Sequence, residues 1–181
     1  MAGTVTRFAE VFTLGARLPG QVFREPRGDS LFCEYDVVLA PEIWPALREM
    51  ARWHGDDRVD LLVLEPGARQ TVSAPVGSEG YWSAIGHESD DEFLDSIAVT
   101  ADVIAVTGPS GQWGCWGERG PEVAVFQGFP DAAAREEWRE RFGPFLDAAE
   151  AVESYVWMAF GGRRPVPDEY AAALVADYGI G

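Results

Sequence analysis

The sequence predicts an α+β protein with a mostly antiparallel sheet of about five to seven strands, helices packed on one face and a helical C-terminal third. Short apolar segments separated by Gly- and Pro-containing turns occupy the first two thirds of the chain, which is typical of grouped strands. Apolar residues at helical spacing dominate the last third. The length of 181 residues fits a single domain, residues 1–181.

The N-terminal part of the chain predicts two strands separated by a helix. In residues 31–39 the odd positions are apolar and two even positions are acidic, the pattern of a half-buried strand. Pro41 suits the first turn of a helix that Gly55 ends, and the apolar run at residues 59–64 predicts a buried strand. Ahead of them, the apolar residues between positions 8 and 14 fit a short helix, with a strand as the alternative.

The middle of the chain predicts two short strands, residues 71–75 and 81–85, followed by a helix. Ser89 or Asp90 would cap that helix, and apolar residues at helical spacing continue it to Ala101. A meander follows, with predicted strands at residues 103–107, 113–116 and 123–129.

The C-terminal third predicts helices. Asp131 is placed to cap a helix that runs to Phe142, where Gly143 and Pro144 end it. A second helix is expected at residues 145–160 and a last one after Pro167.

Missing residue types exclude several reaction classes. All 14 basic residues are arginine, so the lysine of a Walker A phosphate loop and the amine of a Schiff-base enzyme are both absent. The two histidines, His54 and His87, are too few for a three-histidine zinc site. Cys33 and Cys115 form no C-x-x-C pair, and the alternation places Cys33 on the core face as a small apolar residue. A disulfide or a nucleophilic thiol is the alternative.

No targeting segment is visible in the sequence. Residues 1–14 lack a basic stretch followed by an apolar one, and apolar runs such as residues 61–64 are far shorter than a membrane helix requires. We therefore expect a cytoplasmic protein that does not interact with membranes.

The charge is strongly acidic and unevenly distributed. The chain carries 30 acidic against 14 basic residues, a net charge of −16. Residues 70–118 contain eight acidic residues and no basic one, so half of the excess charge lies there. Such a segment repels nucleic acid and anionic lipid and attracts a basic protein surface. The alternative is that these acids only keep the protein soluble and cap its helices.

The same segment contains the predicted partner-binding residues. Tyr81 and Trp82 are the aromatic pair that we expect to be exposed, where they would anchor a cationic partner. The full set combines this pair with the acidic residues around it: Glu79, Tyr81, Trp82, Glu88, Asp90, Asp91, Glu92 and Asp95.

The sequence also allows catalytic and metal-site interpretations. His87, next to Glu88, or His54 could act as a general base, yet neither has a Ser or Cys partner in a recognisable nucleophile motif. Asp91 and Asp95 could contribute to a divalent-metal site only with acids from elsewhere. The glycines of residues 108–111 fit a hairpin turn better than a phosphate loop. No cofactor or metal is expected.

One stretch has a familiar pattern. Residues 113–126 combine a Trp-rich strand, a Glu-Arg turn and an apolar strand. Over residues 102–129 this pattern resembles small acidic bacterial toxin-immunity proteins. The resemblance implies a cytoplasmic α+β protein that neutralises a toxin domain by binding it, and it implies no catalytic residues.

These observations favour a non-enzymatic, acidic binding protein of immunity or inhibitor type, which blocks a basic surface of a partner protein. The alternative is a small hydrolase-type enzyme that uses carboxylates or His87 in a cleft. A third possibility is an oligomeric structural or regulatory domain.

Overall fold

A six-stranded sheet forms the centre of the protein in a computed structural model, which describes residues 2–26, 28–86, 96–156 and 166–179. Its strands are β1 (Leu31–Glu34), β2 (Arg58–Glu65), β3 (Ala68–Ser73), β4 (Val103–Thr107), β5 (Gly114–Glu118) and β6 (Val123–Gln127). They lie in the order β1-β6-β5-β4-β2-β3, and all neighbours are antiparallel. The predicted α+β class and antiparallel sheet are confirmed.

Helices surround this sheet. The α-helices of the described residues are α1 (Ala2–Val11), α2 (Tyr35–Val38), α3 (Trp44–Trp53), α4 (Ser78–Gly86), α5 (Ile97–Thr100), α6 (Ala132–Phe142), α7 (Ala148–Ala151) and α8 (Asp168–Tyr178). A 3-10 turn, Pro41–Ile43, leads into α3, and a π-helical turn, Val152–Val156, follows α7. Within the described ranges no helix is long and apolar enough to cross a membrane.

The helices cover both faces of the sheet, whereas the sequence predicted cover on one face. Along β4, Ile104 and Val106 belong to a first core shared with α2, α3, α4 and α6. Val103 and Ala105 belong to a second core shared with α1, α7 and α8. Successive side chains of a strand point to opposite faces, so a strand that is apolar at every position needs cover on both sides.

The two edges of the sheet differ. Beside β1, Phe32 and Leu146 exchange two backbone hydrogen bonds, with N–O distances of 2.8 and 2.9 Å. At the opposite edge, no strand of the described residues pairs with the outer side of β3. One edge is therefore closed by the chain itself.

Strand β1 is shorter than predicted. It ends at Glu34, and α2 replaces the second half of the strand expected at residues 31–39. The helical turn places Tyr35 and Val38 together in the first core, and the Tyr35 hydroxyl donates a hydrogen bond to the carbonyl oxygen of Ala101 at 2.6 Å. A turn of helix thus brings Tyr35 and Val38 to one face, whereas a strand would point them to opposite faces.

The strand predicted at residues 81–85 is wrong, because these residues belong to α4. Tyr81 and Ile85 are four residues apart, so they lie on the same face of the helix, and both are fully buried. An alternating pattern fits the same two residues, so periodicity alone could not decide between helix and strand. Ser89 and Asp90, the predicted caps of the next helix, lie outside the described residues, and α5 begins at Ile97.

The meander and the C-terminal helices agree with the sequence. Strands β4, β5 and β6 occupy the predicted segments, with ends that differ by no more than two residues. Asp131 caps α6 as predicted, because its Oδ1 accepts a hydrogen bond from the Ala134 amide at 2.8 Å. The helix predicted at residues 145–160 appears as α7 and the π-helical turn, and residues 157–160 lie outside the described residues.

Candidate functional site

The predicted binding residues fall only partly within the described structure. Glu88, Asp90, Asp91, Glu92 and Asp95 lie outside it, as does His87. Glu79 is exposed in the first turn of α4. The prediction that these acids form one continuous binding surface therefore stays a prediction.

Tyr81 is not a surface anchor, which corrects the expectation that it is exposed. Its ring stacks on that of Trp44, with centroids 5.1 Å apart and planes 14° from parallel. Its hydroxyl donates a hydrogen bond to the carbonyl oxygen of Val38 at 2.6 Å, and burial raises its pKa. Tyr81 is buried because the first core supplies both a flat apolar partner and an acceptor for the hydroxyl.

Trp82 is half-buried and packs against the same core. A Cβ atom at Gly86 would lie 2.6 Å from Cε2 of Trp82, so the indole ring lies directly over the backbone of this glycine. Only part of this ring remains available for a partner.

A second set of acidic residues, missed by the sequence analysis, lies together at one end of the strands. We call Glu34, Asp36, Asp102 and Glu122 the acidic edge. All four are exposed. The amide of Tyr35 donates to the carbonyl oxygen of Glu122 at 3.1 Å, which brings the turn between β5 and β6 beside Glu34 and Asp36.

One arginine lies among these carboxylates. Arg119 Nη1 is 3.6 Å from Oδ1 of Asp36, and Arg119 Nε is 3.7 Å from Oδ1 of Asp102. The guanidinium also lies 5.0 Å over the Tyr35 ring and donates from Nε to the carbonyl oxygen of Ala101 at 2.9 Å. These contacts hold Arg119 in place, and the acidic edge keeps four carboxylates against one guanidinium.

Glu118, the last acid of the segment at residues 70–118, does not reach the surface. It is 5% exposed, and its Oε1 accepts hydrogen bonds from the Leu18 amide at 2.8 Å and from Nε1 of Trp116 at 2.7 Å. Burial raises the pKa of Glu118, and these two hydrogen bonds together with the charge of Arg17 oppose that rise. Its observed contacts tie the loop at Leu18 to the sheet.

Asp56 has a similar structural role at the other end of the strands. Its carboxylate accepts hydrogen bonds from the Ser110 amide at 2.6 Å, from Ser110 Oγ at 2.8 Å and from Nε1 of Trp113 at 2.9 Å. A Cβ atom at Gly108 would lie 1.9 Å from Oδ2 of Asp56, so the close approach requires glycine there. The glycines of residues 108–111 thus form a turn that closes on Asp56, in agreement with the hairpin interpretation.

His54 lines a cavity near the same end. The cavity has a volume of about 470 Å³ and is also lined by Asp29, Gln112, Asp131 and Arg135. Nε2 of His54 lies 2.7 Å from the carbonyl oxygen of Gly128. A carbonyl only accepts, so Nε2 carries the proton and, in the neutral ring, Nδ1 keeps the lone pair. No Ser, Thr or Cys side chain is among the described residues that line this cavity.

Both cysteines lie in the interior of the protein. Cys33 and Cys115 are unpaired and buried, as predicted for Cys33, and burial raises the pKa of both thiols. Across the described ranges, no group of three or more His, Cys, Asp or Glu side chains is placed to hold a metal ion.

The arrangement offers two chemically different regions. The acidic edge can bind cationic groups by charge complementarity. The His54 cavity could accept a proton at Nδ1. Compared with protein-family models, with curated proteins and with solved structures, the chain has no match.

Proposed function

We propose that this protein is a non-enzymatic binding protein of immunity or inhibitor type, which covers a basic surface of a partner protein with its acidic edge. The observation that carries the proposal is that four exposed carboxylates from separate parts of the chain lie at one end of the sheet, two of them beside the Arg119 guanidinium.

The charge of the whole molecule supports such a role. A net charge of −16 attracts a basic partner before contact and can raise association rates by about 10- to 1,000-fold at low ionic strength. The exposed carboxylates of the acidic edge then provide local complementarity once the surfaces meet. Salt at about 0.1–0.15 M, where the Debye length is about 8–10 Å, weakens both the long-range attraction and the local complementarity.

The acidic edge is also held in place before binding. Tyr35 is buried beneath Arg119, and the Arg119 guanidinium is bonded to the carbonyl oxygens of Ala101 and Ala98. Asp36 and Asp102 therefore flank a fixed positive group. Because Arg119 is already held, little conformational entropy of this side chain needs to be lost on docking, which favours affinity. Inhibition would result because the bound protein blocks access to the partner's basic surface, and the acidic residues would transfer no proton.

The experiment compares two triple variants that have the same net charge. One neutralises the acidic edge (Asp36→Asn, Asp102→Asn, Glu122→Gln), and the control neutralises three exposed acids on other elements (Glu10→Gln, Glu153→Gln, Glu169→Gln). Association with an immobilised polyarginine peptide is followed by interferometry at several salt concentrations. We expect the edge variant to associate about tenfold more slowly at low salt, and the control to stay close to the wild type.

Equal losses in the two variants would mean that only net charge matters, and the proposed surface would have to be abandoned. Salt-independent association would contradict the electrostatic mechanism as well.

A hydrolase-type enzyme is the second candidate, and the His54 cavity is the observation that favours it. The fixed Nε2 proton leaves Nδ1 as a base that could activate water beside the carboxylates of Asp29 and Asp131. Turnover of a simple aryl ester that disappears in His54→Gln and persists in His87→Gln would support this function. Equal rates in both variants and the wild type would exclude His54 as the base.

A further inference from the structure

A second concave region lies between α3, the end of α6 and the residues after β3. It has a volume of about 450 Å³, within the size range of small-molecule sites. Three arginines, Arg48, Arg52 and Arg141, line it together with Glu49 and Phe142. We call these five residues the arginine cleft.

The fold fixes the positions of these arginines. Arg48 and Arg52 are four residues apart on α3, so they share one helix face. Arg141 comes from the last turn of α6. The two helices are joined by Trp138, whose Nε1 donates a hydrogen bond to the carbonyl oxygen of Ala46 at 3.1 Å.

The carboxylates in the cleft are already engaged. Glu49 accepts two hydrogen bonds from Arg52, at 2.9 Å from Nε and 2.6 Å from Nη2, and this pairing holds the pKa of Glu49 below its usual range. Asp56, which also lines the cleft, is bonded to Ser110 and Trp113. Among the described residues neither carboxylate forms an ion pair within 4.0 Å with Arg48 or Arg141, although the charge of Arg141 adds to the lowering of the Glu49 pKa.

The guanidinium groups of Arg48 and Arg141 differ from those of most other arginines because no carboxylate of the described residues forms an ion pair with them. Among the described arginines, eight have a carboxylate within 4.0 Å. Three have none within the described residues: Arg24, Arg48 and Arg141. Acids outnumber arginines by 30 to 14 in this chain, so unpaired arginines are unexpected, and two of the three share one cleft.

We propose that the arginine cleft binds a small organic oxyanion, a carboxylate or a phosphate monoester with a short apolar group. Arg48 and Arg141 would contact the oxyanion, because the planar guanidinium matches both acid types. Phe142 would contact the apolar group. A polyanion such as nucleic acid would be repelled by the other acidic surfaces, whereas a small anion inside the cleft is screened from distant carboxylates.

The first test uses phenyl phosphate and benzoate as probes, with affinity measured by calorimetry. Arg48→Gln and Arg141→Gln are expected to weaken binding about tenfold each, because each removes a charge-assisted hydrogen bond. Arg24→Gln is the matched control: it removes an exposed, unpaired arginine elsewhere and should leave the affinity unchanged. Whichever probe binds more tightly identifies the acid type.

The second test increases affinity, so that misfolding cannot explain the result. Glu49→Gln removes the competing carboxylate and releases Arg52, and we expect tighter binding of the preferred probe. Glu10→Gln, an exposed acid on α1, is the control for net charge and should have little effect. The proposal is overturned if neither probe binds, if Arg24→Gln weakens binding as much as Arg48→Gln, or if Glu10→Gln tightens it as much as Glu49→Gln.

Discussion

Buried carboxylates tether loops and strands in this protein. Asp56 binds the turn at Ser110, and Glu118 binds the loop at Leu18. Asp60, 1% exposed, accepts a hydrogen bond from Thr71 at 2.6 Å and has three guanidinium nitrogens within 3.7–3.9 Å, from Arg7, Arg58 and Arg69. Some of the acidic residues therefore stabilise the fold, and the net charge overestimates the surface available to a partner.

Asp56→Ala should destabilise the protein by about 3 kcal/mol, because the Ser110 amide and Nε1 of Trp113 would lose a charged acceptor in a buried place. Asp57→Ala, at the exposed neighbouring residue, should change stability by no more than about 0.5 kcal/mol. Urea denaturation of both variants measures the difference. Similar losses at the two positions would contradict the tethering role.

Glu118 makes a pH-dependent contribution to stability. Burial raises its pKa in the folded protein, so the folded state binds this proton more tightly than the unfolded chain. The contribution of Glu118 to the unfolding free energy is then fully present below the ordinary carboxyl pKa of about 4.3 and is lost as pH rises through the raised value.

Glu118→Gln should remove this dependence. Relative to the variant, the wild type is expected to lose stability as pH rises above about 4.3, and urea denaturation across a pH series checks the direction. The amide side chain of the variant would keep an acceptor oxygen for Leu18 and Trp116. If the wild type instead gains unfolding free energy relative to the variant as pH rises, the pKa of Glu118 is lowered in the folded protein.

At the scale of elements, α8 is an integral part of the fold. Tyr178 accepts a hydrogen bond from the Val22 amide at 2.8 Å and donates one to the carbonyl oxygen of Gly20 at 2.7 Å. Its ring meets that of Phe32 edge-on, with centroids 5.6 Å apart. The second core is thus as well organised as the first, although its helices come from the two ends of the chain.

Leu174→Ala in α8 should therefore cost about as much as Leu47→Ala in α3, roughly 2–5 kcal/mol each, since both side chains are fully buried. Val175→Ala, beside Leu174 but 41% exposed, should cost far less. Denaturation of the three variants tests this expectation. A small effect of Leu174→Ala would mean that α8 is only loosely attached.

Across the whole molecule, charge is arranged asymmetrically along the strands. The acidic edge lies where β1 and β5 end, and the arginine cleft lies near the start of β2 and the end of β3. Antiparallel pairing of β2, β4 and β5 places these two regions at opposite ends of the sheet. Two ligands of opposite charge could therefore occupy the protein without contact.

The fold was largely predictable because its signals are local. Short apolar runs between Gly- and Pro-containing turns marked β4 and β6, and Asp131 marked the start of α6. The position of α4 was not predictable, since Tyr81 and Ile85 satisfy two periodicities and only the contact with Trp44 shows which one applies.

The candidate sites were less predictable, because their members are distant in sequence. Glu34 and Glu122 become neighbours only when β1 pairs with β6, and Arg48 approaches Arg141 only when α3 packs on α6. Composition indicated that acidic residues are abundant, but the packing of strands and helices decides which of them remain exposed and without a neighbouring positive charge.

The backbone pairing of Phe32 with Leu146 also limits self-association. Growth of a fibre by strand addition needs two unpaired sheet edges on each copy, so that each copy pairs with one neighbour on either side. Within the described residues this sheet has one unpaired edge, at β3. Strand pairing between copies would thus stop at a dimer and could not propagate as a polymer.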